Sequence, residues 1–184
     1  MPVDSGHSPK SFEILALQKD FDSAWSRSFP GGKSQEQGYV LVWGPDGNLH
    51  AVNGGSGTTG TFTPNFNVES GYTIYGMFHT HSYSVAEGGY TGVSLSGADI
   101  ANLINDSRRQ ISVVQSGSLQ FLMLKTEATP LSVNRSAMNN SENAAISNFV
   151  SGGMNFSEAS RVAAVNTARQ NGLAYYEGSN GVFI

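Results

Sequence analysis

Residues 72 to 81 set the tightest limit on the fold. Tyr72, Ile74, Tyr75, Met77 and Phe78 make an apolar, β-prone run that ends in His79-Thr80-His81. Side chains along a strand alternate between faces, so two histidines two residues apart point the same way. A Gly-rich loop follows, and then a helical pattern in Ile100, Leu103 and Ile104 begins at Asp99. The chain thus passes from strand to helix around three side chains that can ligate one divalent ion: His79, His81 and Asp99. Two imidazoles and a carboxylate leave a tetrahedral Zn²⁺ with an open position, the composition of a catalytic site rather than of a closed structural one.

Each signal also has an ordinary explanation. Ser96-Gly97-Ala98-Asp99 is a capping box, with Ser96 as N-cap and an acid three residues on. A lone His-x-His at a strand end is commonly a surface or hydrogen-bonded pair. The two readings are compatible, since Ser96 can cap the helix while Asp99 turns its carboxylate toward the histidines.

Composition removes several function classes. With 184 residues and 39% hydrophobic content the chain can bury one good core. A charged fraction of only 13% beside 10% aromatics describes a loop-rich globular protein, because disordered chains lack aromatics. A formal charge of −4, with no basic run longer than Arg108-Arg109, argues against nucleic acid as a partner. The absence of cysteine excludes disulfides and thiolate zinc sites, leaving histidine and carboxylate as the strong ligands. No apolar stretch approaches the ~20 residues a membrane span needs, so no membrane insertion is expected. Residues 1 to 6 lack the basic and apolar regions of a signal peptide, so any export is expected by a signal-less route.

Along the chain, residues 1 to 10 read as a loose tail. Leu17, Phe21, Trp25 and Phe29 recur every four residues and predict a helix that Pro30-Gly31-Gly32 ends. Tyr39 to Trp43 and Leu49 to Val52 predict a hairpin, with His50 at the surface, and the glycine-rich segment 53 to 60 reads as a flexible loop. Ser82 to Ser94 is placed as a substrate lid or specificity loop, with Glu87 a solvated acid within it. Ile111 to Val114 and Leu119 to Leu124 predict a central strand pair. After Pro130, helices are expected at about 142 to 151 and 156 to 170, followed by a terminal hairpin over 173 to 184.

His79-Thr80-His81 and Ser96-x-x-Asp99, with Glu36 opening Ser34-Gln35-Glu36-Gln37-Gly38-Tyr39-Val40-Leu41-Val42, together resemble the signature of the JAB/MPN (JAMM) metalloproteases. The resemblance spans about residues 11 to 125. The fourteen-residue loop between His81 and Ser96, and Ser82 where many members carry proline, look most like the bacterial branch found in Rhs-type polymorphic toxins. The resemblance implies an α/β (α+β) fold, a JAB/MPN-like (cytidine-deaminase-like) mixed sheet flanked by helices. It implies a metalloprotease domain over residues 11–128 and a C-terminal helical and hairpin extension over 129–184. It further implies one zinc ion on His79, His81 and Asp99, with Glu36 as general base and acid and Ser96 as the oxyanion donor.

The expected activity is zinc-dependent cleavage of peptide or isopeptide bonds by a toxin- or effector-type enzyme. Its partners would be a protein or peptide substrate and an immunity or delivery protein. The alternatives are an inactive MPN-like scaffold, an effector hydrolase acting on a non-peptide amide or cell-wall target, and a structural module without metal.

Overall fold

The computed structural model describes residues 12 to 184; the tail expected over residues 1 to 10 lies outside them. Eight strands run at Phe12–Glu13 (β1), Gln37–Trp43 (β2), Leu49–Ser56 (β3), Thr73–Thr80 (β4), Ile111–Ser116 (β5), Leu119–Lys125 (β6), Leu173–Ser179 (β7) and Val182–Phe183 (β8). They form one sheet in the order β1-β8-β7-β6-β5-β4-β2-β3. All neighbours are antiparallel except β4 and β5. A parallel pair cannot be closed by a tight turn. The chain crosses instead through a helix, α2 (Gly97–Asn105).

Alternation along the strands sorts the core into two layers. On one face Phe78, Leu41, Val113 and Leu122 pack with Phe21 and Ala24 of α1 (Gln18–Ser26). The rings of Phe21 and Phe78 stack 3.9 Å apart. On the other face Val114, Phe121 and Met123 meet Ile100, Leu103 and Ile104 of α2 and Ala164 and Ala168 of α4 (Phe156–Gln170). A further helix, α3 (Arg135–Ser151), packs against α2 and α4. The architecture is a mixed α+β sheet with helices on both faces.

The aromatic stripe expected on α1 holds only in part. A four-residue repeat advances about 40° too far on each turn of a 3.6-residue helix. Phe21 is therefore buried and Ala24 takes the next inward position, while Trp25 is half-buried and meets Phe29 edge-on. The helix expected from about 142 begins earlier, at Arg135, where the Asn134 side chain accepts a hydrogen bond from the Ala137 N–H. Its outer face is Asn- and Ser-rich, so the apolar period that marks a helix is missing there. Residues 129–184 supply α3, α4 and two further strands of the same sheet, with β7 paired along β6.

Glu142 of α3 is 3% exposed, and neither carboxylate oxygen has a hydrogen-bond partner within ordinary geometry. Burial pushes its pKa up to about 7 against an ordinary 4.5; a loose contact with Thr167 and the field of His81 pull it down, and Asp99 pushes it further up. The folded chain thus holds this proton more tightly than the unfolded one. The stability it contributes is complete below pH 4.5 and lost as pH rises through about 7. Glu142→Gln should leave chelator-treated protein unchanged at about pH 4. At about pH 8.5 it should raise stability by up to about 3 kcal/mol, at ~1.4 kcal/mol per pKa unit. Thermal melts that show the same difference at both pH values would refute this.

Candidate metal centre

His79 and His81 leave β4 on the α2 face, as the period of two requires. Thr80 between them faces the other way, its Oγ1 2.7 Å from Ser28 Oγ and accepting from the Gln37 N–H at 3.0 Å. That bond fixes the start of β2 beside the histidines. Glu36 is held there on both sides: its N–H donates to Thr58 O at 2.9 Å, and its carbonyl accepts from Gly57 N–H at 2.7 Å. Gly38, opposite His79 in the ladder, is needed for close approach, since a Cβ there would lie 2.5 Å from both the Phe62 ring and the Phe78 carbonyl.

Asp99 arrives on the first turn of α2. Ser96 caps that turn: its Oγ accepts from the Asp99 N–H at 3.2 Å, while its own N–H and hydroxyl both donate to Asp99 Oδ2, at 2.9 and 2.7 Å. The capping box and the ligand site are therefore one structure. Asp99 Oδ1 lies 3.4 Å from His79 Nε2, Oδ2 lies 3.2 Å from His81 Nε2, and the two Nε2 atoms are 3.0 Å apart.

These distances fit a divalent ion. Ligand atoms about 2.0–2.1 Å from a tetrahedral zinc stand roughly 3.3 Å from one another. One donor atom from each of the three residues lies within 4.8 Å of the others. Two buried imidazole nitrogens 3.0 Å apart repel through their lone pairs unless a cation or a proton lies between them. The nitrogen and carboxylate set suits zinc among the borderline metals. The two Nδ1 atoms are buried without a full hydrogen bond, the Ser94 carbonyl offering His81 only a weaker contact.

Charge in the site is tightly balanced. Burial disfavours a charged His81, but its bond to Asp99 and the fields of Asp99 and Glu36 outweigh this and raise its pKa to about 9. Burial disfavours a charged Asp99 as well and so pushes its pKa up, yet the two imidazoles hold its carboxyl well below the ordinary range. Glu36 is 6% exposed, and burial raises its pKa despite the imidazoles and a Phe62 backbone contact.

Glu36, His81, Ser96 and Asp99 open on one cavity of about 170 Å³, with His79 buried behind. The segment Thr59–Phe62 forms one wall. Tyr83 and Arg135, neither expected as site residues, form others. The Tyr83 ring is braced edge-on by Tyr90 and Phe156, and burial together with Glu36, Asp99 and Glu87 pushes its phenol up to about 12. Glu87 does not line this cavity. It is exposed, accepts bonds from Ser84 and Ser34, and so ties the 82–94 loop to the segment before Glu36. His50 sits at the surface, 2.9 Å from Asp46. Among the described residues no helix is long and apolar enough to cross a membrane.

No protein-family model matches the chain, and no curated protein or solved structure matches it.

Purified protein should carry close to one divalent metal ion per chain, and His79→Ala or Asp99→Asn should lose it; elemental analysis showing full metal content in Asp99→Asn would remove Asp99 from the candidate ligand set. Ser96→Ala deletes the cap and should lower stability by about 1 kcal/mol in a denaturant titration.

Proposed function

We propose that the chain is a zinc-dependent hydrolase cleaving peptide or isopeptide bonds, a toxin- or effector-type JAMM peptidase on a JAB/MPN-like fold. The observation that carries this reading is the convergence of His79, His81 and Asp99 beside a buried carboxylate, Glu36, in one cavity. The ligand set by itself suits any metal-assisted hydrolysis. The choice of an amide bond, and of the effector class, comes from the resemblance of the Glu36, His79-Thr80-His81 and Ser96-x-x-Asp99 pattern to that family.

His79, His81 and Asp99 would hold the ion. When bound it supplies Lewis acidity, polarising a scissile carbonyl and bringing the pKa of water toward about 7. Glu36 moves the protons. Its raised pKa brings it toward the working range of a base that accepts a proton from the attacking water and returns it to the leaving nitrogen. Ser96, which donates to Asp99, lies on the cavity wall; turning its hydroxyl from Asp99 to the substrate oxygen gives an oxyanion donor, commonly worth about 3 kcal/mol in rate.

Glu36→Gln separates binding from turnover. The variant should keep its zinc while cleavage of a peptide library falls by roughly 10²-fold or more, and chelator should abolish cleavage by the parent protein. A zinc-loaded Glu36→Gln protein that cleaves at the parent rate takes Glu36 out of the mechanism.

A further inference from the structure

The proposed chemistry leaves one charged residue of the cavity without a role. Arg135, on the first turn of α3, lines the same cavity as Glu36 and Asp99. Its Nε donates to Asn102 Oδ1 at 3.0 Å. Asn102 follows Asp99 by three residues on α2, which places it one turn away on the same face, with Cβ atoms roughly 5–6 Å apart. The guanidinium is anchored through one nitrogen beside the ligand set. Its two terminal amino groups have no hydrogen bond to any described residue.

The partner matters as much as the position. Arg108 and Arg109 share the carboxylate of Asp106, and Arg161 pairs with Glu177; Arg27 meets only the hydroxyls of Ser23 and Tyr39, but it does not line this cavity. Arg135 is held by a neutral amide and pairs with no carboxylate among the described residues. The amide orients the exposed guanidinium toward the cavity rim and neutralises none of its charge. A planar, directed guanidinium with two free amino groups is the donor that takes a carboxylate through paired hydrogen bonds.

On the metallohydrolase reading above, we infer that Arg135 is the specificity-determining residue of this site and binds a carboxylate of the substrate beside the scissile bond. A charge count favours a single negative charge over a phosphate. With a divalent ion in place, Asp99 and Glu36 offset its two charges, and Arg135 is left with one to be matched. The carboxylate is either the free C-terminus of the product side or an Asp or Glu side chain, and both reach the same fork.

The test uses two zinc-directed probes, N-hydroxysuccinamic acid and its uncharged twin N-hydroxysuccinamide, titrated calorimetrically into zinc-loaded protein. The acid should bind about tenfold tighter than the amide, the order expected of one charged hydrogen-bonded pair. Arg135→Gln should erase that preference while zinc content and acetohydroxamate affinity stay unchanged. Equal binding of acid and amide by the parent protein, or a preference that survives in Arg135→Gln, overturns the inference and leaves the metal site standing. A protein that holds no zinc and binds neither probe overturns the hydrolase reading and this inference together. The source of the carboxylate is read from acetylated peptide pools with free or amidated C-termini and with Asp and Glu or Asn and Gln. Cleavage restricted to free C-termini assigns the terminal carboxylate, and cleavage of amidated peptides only beside Asp or Glu assigns the side chain. Indifference to both overturns the inference.

Discussion

The parallel pairing of β4 with β5 is the constraint from which the site follows. Parallel neighbours need a crossover, and here the crossover is α2, which must return over one face of the sheet. That face is the one His79 and His81 take by alternation, because Phe78 and Thr80 take the other. Ile100, Leu103 and Ile104 then fix the rotation of α2 by burying against Val114, Phe121 and Met123. Asp99, next to Ile100, is left at the rim, over the carboxyl ends of the parallel strands where open α/β sheets form their crevices. No separate device is needed to bring the ligands together.

Once assembled, the site is held in a state that resists being empty of positive charge. Two imidazole nitrogens 3.0 Å apart and two carboxylates under one roof cannot all keep their ordinary ionisation. The chain absorbs this by drawing a proton onto His81 and by keeping Glu36 more protonated than an exposed acid. A divalent ion meets the same need with better geometry. Ser96 contributes by donating twice to Asp99 Oδ2, which orients the carboxylate before any ligand arrives.

The sequence showed the candidate ligands plainly and the walls hardly at all. His79, His81 and Asp99 could be read because the strand period and the capping box are local, and the structure places all three where those patterns point. Glu36 was legible through a motif only, and the structure brings it to the same cavity through bonds to Thr58 and Gly57 that no local pattern announces. Asn102 was within reach of inspection, three residues beyond Asp99 on one helix face. Arg135 was not. Its helix starts in an Asn- and Ser-rich stretch with no apolar period, and it forms because α2 and α4 offer a surface to pack on. Tyr83 was hidden for a similar reason, its orientation being set by Phe156, seventy-three residues downstream.

The walls of the cavity are thus built from different parts of the chain and joined at one seam. His79, His81, Asp99 and Glu36 belong to the sheet, its edge and its crossover helix, whereas Arg135 and the Phe156 brace behind Tyr83 come from α3 and α4. The seam is the contact of α2 with α3. A Cβ at Gly97 would lie 2.8 Å from the Asn139 Cα and from the Met138 carbonyl, so only glycine lets the helices meet so closely. The Ala98 N–H donates to Asn139 Oδ1 across the same contact at 3.2 Å. Because α3 has weak helical propensity on its polar side, its position depends on this packing, and with it the direction of the Arg135 guanidinium. A change that loosens the seam would therefore disturb the direction of Arg135 before it disturbs Asp99, which keeps its own cap from Ser96.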